Sequence, residues 1–187
     1  MLPYDREEYL DFFGYRFYRY TQWYGVSFQL PGGYDGRHIG LTEYMGAYEQ
    51  WFKDIIVQLD NGSHWIVNHD RRAHIWFPYD ENTLPSLRLL FRENHIPDNF
   101  KGALLFTKED LLKFSTDIIT YPFAVIKEDG VFYDDVDISH GQLPFIIKIS
   151  AHRNIDLLSK DKKMLMEIVN KNRLPHFILR EYYGEEI

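Results

Sequence analysis

The chain has no cysteine among its 187 residues. This absence excludes disulfide scaffolds, thiolate zinc sites, iron–sulfur clusters and cysteine nucleophiles, and it fits a reducing compartment. Basic residues are also scarce: 21 Lys and Arg stand against 28 Asp and Glu, which gives a net charge of −7. An acidic balance argues against general nucleic-acid binding, because such binding depends on a clustered basic surface.

Long apolar runs are missing as well. No window approaches the ~20 apolar residues that span a bilayer. Residues 1–8 carry acids where a secretory signal needs a basic region followed by an apolar one. We therefore expect a cytoplasmic protein without a membrane segment. Apolar residues at 45% and charged residues at 26% are ordinary for a folded soluble chain, and the length fits one domain over residues 1–187.

The order of the elements predicts an α+β single domain, a mostly antiparallel sheet with about four or five helices packed around it. Helical spacing of apolar residues predicts helices near residues 9–24, 42–60, 84–91, 107–119 and 154–172. Aromatic and β-branched runs predict strands near residues 64–68, 73–77, 102–106, 123–126, 131–133, 143–150 and 177–183.

Local signals refine several of these elements. Thr42 is predicted to cap the second helix, and Thr107 with Asp110 forms a capping-box pattern for a helix that Pro122 closes. The strands at 64–68 and 73–77 are predicted to pair as a hairpin with a four-residue loop. A second hairpin is predicted at 123–133, because its Asp-Gly pair is a good turn signal.

The acidity is concentrated in one stretch. Residues 109–137 contain eight acids and two bases, a net charge of −6, whereas residues 151–187 have a net charge of +1. If residues 131–138 are extended, Asp135 and Asp137 share a strand face with Tyr133, and we expect this face to be exposed and to form a docking surface for a basic partner. The predicted partner-binding residues are Glu128, Asp129, Tyr133, Asp134, Asp135 and Asp137. The alternatives are a solvated acidic face that maintains solubility, or acids that discourage strand pairing at a sheet edge.

The eight histidines do not predict a metal site. His64, His69 and His74 recur every five residues, and the predicted hairpin register places His64 and His74 on opposite faces. No H-E-x-x-H pattern, P-loop or dinucleotide fingerprint occurs, so we predict neither a metal nor a cofactor. An alternative is a hydrolase-type enzyme whose site assembles from distant segments, and its candidate residues are His69, Asp70, Arg71, His140 and His152.

The leading hypothesis is a non-enzymatic protein-binding protein or inhibitor. An acidic surface can mask a basic partner such as the nuclease domain of a toxin, which must present cationic residues to phosphate. Bacterial immunity proteins and antitoxins against nuclease toxins have this general character: they are small, acidic, poor in cysteine and cytosolic. A third possibility is a regulatory module with a small-ligand pocket lined by Tyr and Trp.

Overall fold

The computed structural model describes residues 2–4, 23–33, 37–69, 75–77, 84–97, 99–125 and 135–182, with only the backbone described at residues 2–4 and 69. These parts contain eight strands and five helices. The strands are β1 (Leu2–Tyr4), β2 (Tyr24–Gln29), β3 (Trp65–His69), β4 (Ala103–Phe106), β5 (Val136–His140), β6 (Phe145–Ile149), β7 (Ile155–Ser159) and β8 (Ile178–Glu181). The helices are α1 (Leu41–Leu59), α2 (Pro85–Glu93), α3 (Lys108–Lys113), α4 (Ser115–Ala124) and α5 (Lys162–Asn172).

The eight strands form one sheet in the order β1-β4-β3-β5-β6-β7-β2-β8. Every strand pair in the described residues is antiparallel. Strands β5, β6 and β7 follow one another as a meander, whereas β2 comes from the beginning of the chain and inserts between β7 and β8. The predicted α+β class with a mostly antiparallel sheet is confirmed. None of the helices in the described parts is long and apolar enough to cross a bilayer.

Helix α1 supplies the centre of the main core. Three aromatic side chains on its buried face satisfy their polar atoms on other elements, as buried Tyr and Trp require. The Tyr48 hydroxyl donates to the Phe28 carbonyl at 2.8 Å, and Trp51 Nε1 donates to the Asn172 carbonyl at 2.9 Å. The Tyr44 hydroxyl donates to the Ile119 carbonyl at 3.2 Å. These bonds join α1 to β2, α5 and α4.

The predicted capping box is confirmed, but the helix that follows it is not continuous. The Thr107 side chain accepts from the Asp110 amide at 3.1 Å, and the Asp110 carboxylate accepts from the Thr107 amide at 3.4 Å. Helix α3 ends at Lys113, and after Phe114 a second helix, α4, begins at Ser115. Pro122 lies inside α4 rather than at its end. The missing amide of one proline removes a single helical hydrogen bond, which this last turn tolerates.

The predicted helix over 154–172 is wrong in its first part. Residues 155–159 form β7, and helix α5 starts only after Asp161, whose side chain accepts from the Met164 amide at 3.0 Å. Strand β7 is buried on both faces, so it shows no alternation of apolar and polar residues. Leu157 and Leu158 of β7 therefore match the helical spacing of the apolar residues in α5 by coincidence, and this led to the incorrect prediction.

The first predicted hairpin is wrong, and the second is wrong in the part of its first strand that the structure describes. Strand β3 pairs with β4 on one side and β5 on the other, so no edge is left for residues 75–77, which are not a strand. Phe123 lies in the last turn of α4 instead of starting a strand, and residues 126–133 of this hairpin lie outside the described residues. Tyr24, predicted to end the first helix, begins β2, and residues 9–22 of that predicted helix also lie outside the described residues. Gly40, not Thr42, is the N-cap of α1.

Candidate functional site

A row of polar residues crosses six strands on the sheet face opposite the main core. Its neighbouring members are paired directly in the strand register, so their side chains leave the sheet on the same face. Five of the six are buried, and Arg180 is partly buried. We call the set the polar row, and in strand order it consists of Asn68, Asp137, Lys148, Asp156, Ser27 and Arg180.

Apolar side chains surround the polar row on the same face. Ile66, Ala103, Ile146 and Leu158 form a buried cluster that is separate from the main core. Strand alternation produces this arrangement, because β3, β6 and β7 each carry a row member two residues from an apolar member of this cluster, such as Lys148 beside Ile146. The row is therefore a set of charged groups in an apolar environment, where an unpaired charge is costly.

Lys148 is the cation at the centre of the polar row. Its Nζ lies 3.1 Å from Asp135 Oδ2 and 3.7 Å from Asp137 Oδ1. The Lys148 side chain is 6% exposed, the Asp137 side chain 1% and the Asp135 side chain 21%. Asp135 also accepts from the Ala151 amide at 2.9 Å through its other oxygen. The lysine thus compensates part of the negative charge of two carboxylates, of which Asp137 is fully removed from water.

Asp156 is the third carboxylate of this group. Burial raises the pKa of Asp156 to about 6, and hydrogen bonds from Ser27 and Asn154 together with the charge of Lys148 offset part of that effect. Asn154 Nδ2 donates to Asp156 Oδ1 at 2.7 Å and lies 3.2 Å from Ser27 Oγ. Gln29 Nε2 donates to Ser27 Oγ at 3.1 Å. Neutral hydrogen-bond partners therefore stabilise the buried Asp156 side chain more than a direct ion pair does.

A cleft of about 350 Å³ adjoins this end of the polar row. It lies between the end of β2, the turn after it, the residues before α1 and the turn that joins β6 to β7. Asn154 belongs to both the cleft wall and the hydrogen-bond network of Asp156. The cleft is lined by Gln29, Leu30, Gly33, Ile39, His152, Arg153 and Asn154.

The β6–β7 turn holds Arg153 at the cleft in an unusual backbone conformation. The Ser150 amide donates to the Asn154 carbonyl and the Arg153 amide to the Ser150 carbonyl, both at 3.0 Å. Arg153 has a φ of 64°, in the left-handed region that residues with a side chain rarely occupy. Its guanidinium carbon lies 5.3 Å from the centre of the Phe123 ring. The turn thus fixes an arginine beside an aromatic ring at the cleft.

The structure shows where the predicted partner-binding residues lie. Glu128, Asp129, Tyr133 and Asp134 are outside the described residues. Asp135 and Asp137 are described, and both contact Lys148. The expectation that Asp137 lies on an exposed strand face is wrong, because β5 is buried along its whole length and the Asp137 side chain is 1% exposed. Asp137 therefore offers no carboxylate to solvent in this fold.

The residues of the alternative catalytic hypothesis are not brought together where they are described. Asp70, Arg71 and the side chain of His69 lie outside the described residues. His140 is at one end of β5, whereas His152 belongs to the turn next to the other end of that strand. In the described parts, no group of three or more histidine and acidic side chains is arranged to hold a metal ion.

His140 has a structural role in the described fold. It is fully buried, and its Nε2 lies 3.1 Å from the Leu59 carbonyl. Its Nδ1 accepts from the amides of Gln142 at 3.1 Å and Leu143 at 3.0 Å. Burial lowers the pKa of His140, since only the neutral ring can donate at Nε2 while it accepts at Nδ1. The imidazole thus links the turn after β5 to the end of α1 through hydrogen bonds.

Replacing His140 by leucine is expected to lower the free energy of unfolding by about 2 kcal/mol at pH 7. The Leu59 carbonyl and the amides of Gln142 and Leu143 would lose their hydrogen-bond partner, and water could replace it only where these groups reach the surface. A group with a lowered folded pKa stabilises above its unfolded value and loses that contribution as pH falls. The cost should therefore be smaller at pH 5. Urea unfolding of both proteins measures it, with the exposed His38→Leu as the control. An equal cost at both pH values would contradict the neutral ring.

Sequence reasoning missed the cation of the polar row. Lys148 lies between Ile147 and Ile149 in a correctly predicted strand, so alternation could have placed it on the opposite face from them. Asp156 and Arg153 could not be found in this way, because the predicted helix at 154–172 hid the β6–β7 turn. Comparison of the chain with protein-family models, curated proteins and solved structures gives no significant match.

Proposed function

We propose that this protein is a non-enzymatic protein-binding protein of the cytoplasm, of the immunity-protein or antitoxin class, that masks a basic nuclease-type toxin. The observation that carries the proposal is the concentration of charge: residues 109–137 hold a net charge of −6 out of −7 for the chain. A nuclease presents cations to phosphate, and carboxylates on an opposing protein compete for the same site. Long-range attraction between the two surfaces also speeds their association.

The described contacts narrow the set of acids that are available to a partner. Asp110 caps α3, and the Asp117 carboxylate accepts from the Leu87 amide at 3.0 Å at the start of α2. Asp135 and Asp137 neutralise Lys148. Docking therefore has to use the remaining acids of the stretch. Among the described residues this leaves Glu109, whose side chain is 76% exposed. The others are Glu128, Asp129 and Asp134, which lie outside the described residues.

Tyr133 completes the proposed binding surface. Binding energy at protein interfaces is concentrated in a few residues, often aromatic, while the surrounding charges set the association rate and the specificity. Tyr133 lies in sequence between Asp129 and Asp134, so it is the aromatic residue that a partner attracted by these acids would meet. Its own side chain lies outside the described residues.

Reversal of the acids Glu128, Asp129 and Asp134 to lysine is expected to weaken toxin binding at least about 100-fold, because three attractive contacts become repulsive. Asp135 and Asp137 are left unchanged, since a lysine beside Lys148 would destabilise the fold. The probe is an active-site-inactivated nuclease domain encoded by a gene adjacent to this one, and its affinity is measured by isothermal titration calorimetry.

A matched control separates local binding from overall charge. The variant with Glu93, Glu167 and Glu181 changed to lysine reverses three exposed acids outside residues 109–137. Each reversal adds two charges, so both triple variants change the net charge from −7 to −1. The control is expected to retain its affinity within about threefold, as rim charges mostly affect the association rate. Equal losses in the two variants, or no binding by the unaltered protein, would overturn the proposal.

A further inference from the structure

The Arg153 side chain carries a charge that the described structure does not neutralise. Its Nη1 is buried and has no hydrogen-bond partner among the described residues. A guanidinium remains protonated at every relevant pH and cannot lose its charge to avoid the cost of burial. A buried charged donor without a partner requires an explanation such as a bound ion or water, and Arg153 is a partly exposed residue that lines the cleft.

The neighbouring polar groups in the described part of the chain do not supply the missing anion. Burial raises the pKa of Tyr44 well above its usual value, so its phenol stays neutral, and its hydroxyl donates to the Ile119 carbonyl. The hydrogen-bond partners of Asp156, an acid of the polar row, are Ser27 and Asn154. The acceptor for Arg153 must therefore come from outside this group of residues.

The strained backbone at Arg153 indicates that this position requires the arginine side chain. A glycine or an asparagine adopts a φ of 64° more readily than arginine. Non-glycine residues in this region are rare, and they cluster at ligand sites, where the surrounding structure maintains the strain. Here the Ser150–Asn154 turn maintains it through two backbone hydrogen bonds. The turn thus presents an arginine at the cleft at some expense in backbone free energy.

The shape and charge of the cleft select among anions. A volume of about 350 Å³ is at the lower end of the range for small-molecule sites. Leu30 and Ile39, which are 5% and 4% exposed, give it an apolar wall. One arginine supplies a single positive charge, which suits a singly charged ligand better than a doubly charged phosphate. A planar carboxylate also matches the two-pronged donor geometry of a guanidinium.

We propose that the cleft between the end of β2 and the β6–β7 turn binds small monocarboxylates, with the Arg153 guanidinium as the group that binds the carboxylate. Leu30 and Ile39 contact the hydrocarbon part of the ligand, and the guanidinium lies over the Phe123 ring. This site is separate from the acidic surface in the proposed function: no residue that lines the cleft belongs to 109–137, and Phe123, which does, is not one of the residues of that surface.

The test is a titration of the full chain with sodium hexanoate, followed by amide shifts in two-dimensional NMR. Hexanoate is expected to shift the amides of residues 150–154 with a dissociation constant of about 1 mM, which is typical for a ligand of its size. Hexanamide, the neutral analogue, is expected to bind at least about tenfold more weakly, since it lacks the anion that Arg153 requires.

Variants assign the binding to Arg153. Arg153→Gln is expected to weaken hexanoate binding at least about tenfold, whereas Arg173→Gln, a change at an exposed arginine, leaves it unchanged. Arg153→Gly covers the case in which glutamine disturbs the turn, because glycine accepts the observed φ and removes the side chain. This variant is expected to fold normally and to lose hexanoate binding as well.

Three outcomes would overturn the inference. The first is no amide shift up to about 20 mM hexanoate, which would mean that water alone satisfies Arg153. The second is binding that survives in Arg153→Gly. The third is binding of inorganic phosphate at least as tight as that of hexanoate, which would identify a general anion site without selection for a carboxylate. A failure of toxin binding leaves these measurements unaffected, so the two proposals fail separately.

Discussion

Replacing Lys148 by methionine is expected to lower the free energy of unfolding by about 3–5 kcal/mol at pH 7, the cost of removing one partner from a buried ion pair. Methionine keeps most of the volume of the lysine stem, so the loss reflects charge rather than a cavity. Asp137, 1% exposed, would remain buried without the Nζ that lies 3.7 Å from it, and Asp135 would lose a contact of 3.1 Å. Urea unfolding followed by tryptophan fluorescence measures the effect.

Two further variants show whether the charge is responsible. Lys163→Met removes a lysine whose side chain is 87% exposed, and it is expected to change stability by less than about 0.5 kcal/mol. The double variant Asp137→Asn with Lys148→Met removes both members of one pair. It is expected to recover about 1–3 kcal/mol relative to the sum of the single changes, the usual coupling between residues in contact. Additive effects would show that Lys148 and Asp137 do not stabilise each other.

The parts of the fold that depend on local sequence were predicted well. The capping box at Thr107 and Asp110 is formed by residues three apart, and both of its hydrogen bonds are present. Strand β6 and the main part of α1 follow from the spacing of their apolar residues. In each case the residues that determine the element lie within the element or next to it, so no knowledge of the remaining chain is needed.

Strand partners could not be predicted, because they depend on residues far apart in the sequence. The hairpin expected after β3 requires a free strand edge, yet β4 and β5 occupy both edges of β3. Strand β7 is buried along its whole length, so apolar residues occur on both of its faces and the alternation that identifies a half-exposed strand is lost. A helical interpretation of residues 154–159 was the consequence.

The same dependence explains the incorrect interpretation of Asp137. Its sequence neighbours suggested an exposed strand face, but its environment is set by Lys148 on the adjacent strand and by the position of β5 inside the sheet. A carboxylate on an exposed strand face repels partners or attracts basic ones, whereas the same carboxylate on a buried face requires a cation from within the fold. The sequence shows how many acids the chain has, but it does not show which of them pair with a cation inside the fold.

Asp156→Asn is expected to leave stability nearly unchanged at pH 4 and to raise the free energy of unfolding by up to about 3 kcal/mol at pH 7. Burial raises the pKa of Asp156 from 3.8 in the unfolded chain to about 6 in the folded one. The folded protein therefore holds this proton more tightly, and the contribution of Asp156 to stability declines as pH rises from about 4 to about 6. A shift of about two pKa units corresponds to about 3 kcal/mol.

Asparagine mimics the protonated acid, because its Oδ1 can still accept from Asn154 while no charge is buried. The comparison requires urea unfolding of both proteins at pH 4, 5, 6 and 7. Asp54→Asn, a change at an exposed position of α1, is the control and is expected to alter stability by less than about 0.5 kcal/mol throughout. If the difference between Asp156→Asn and the unaltered protein does not grow with pH, the charge of Asp156 is compensated within the polar row, and Lys148 stabilises all three carboxylates.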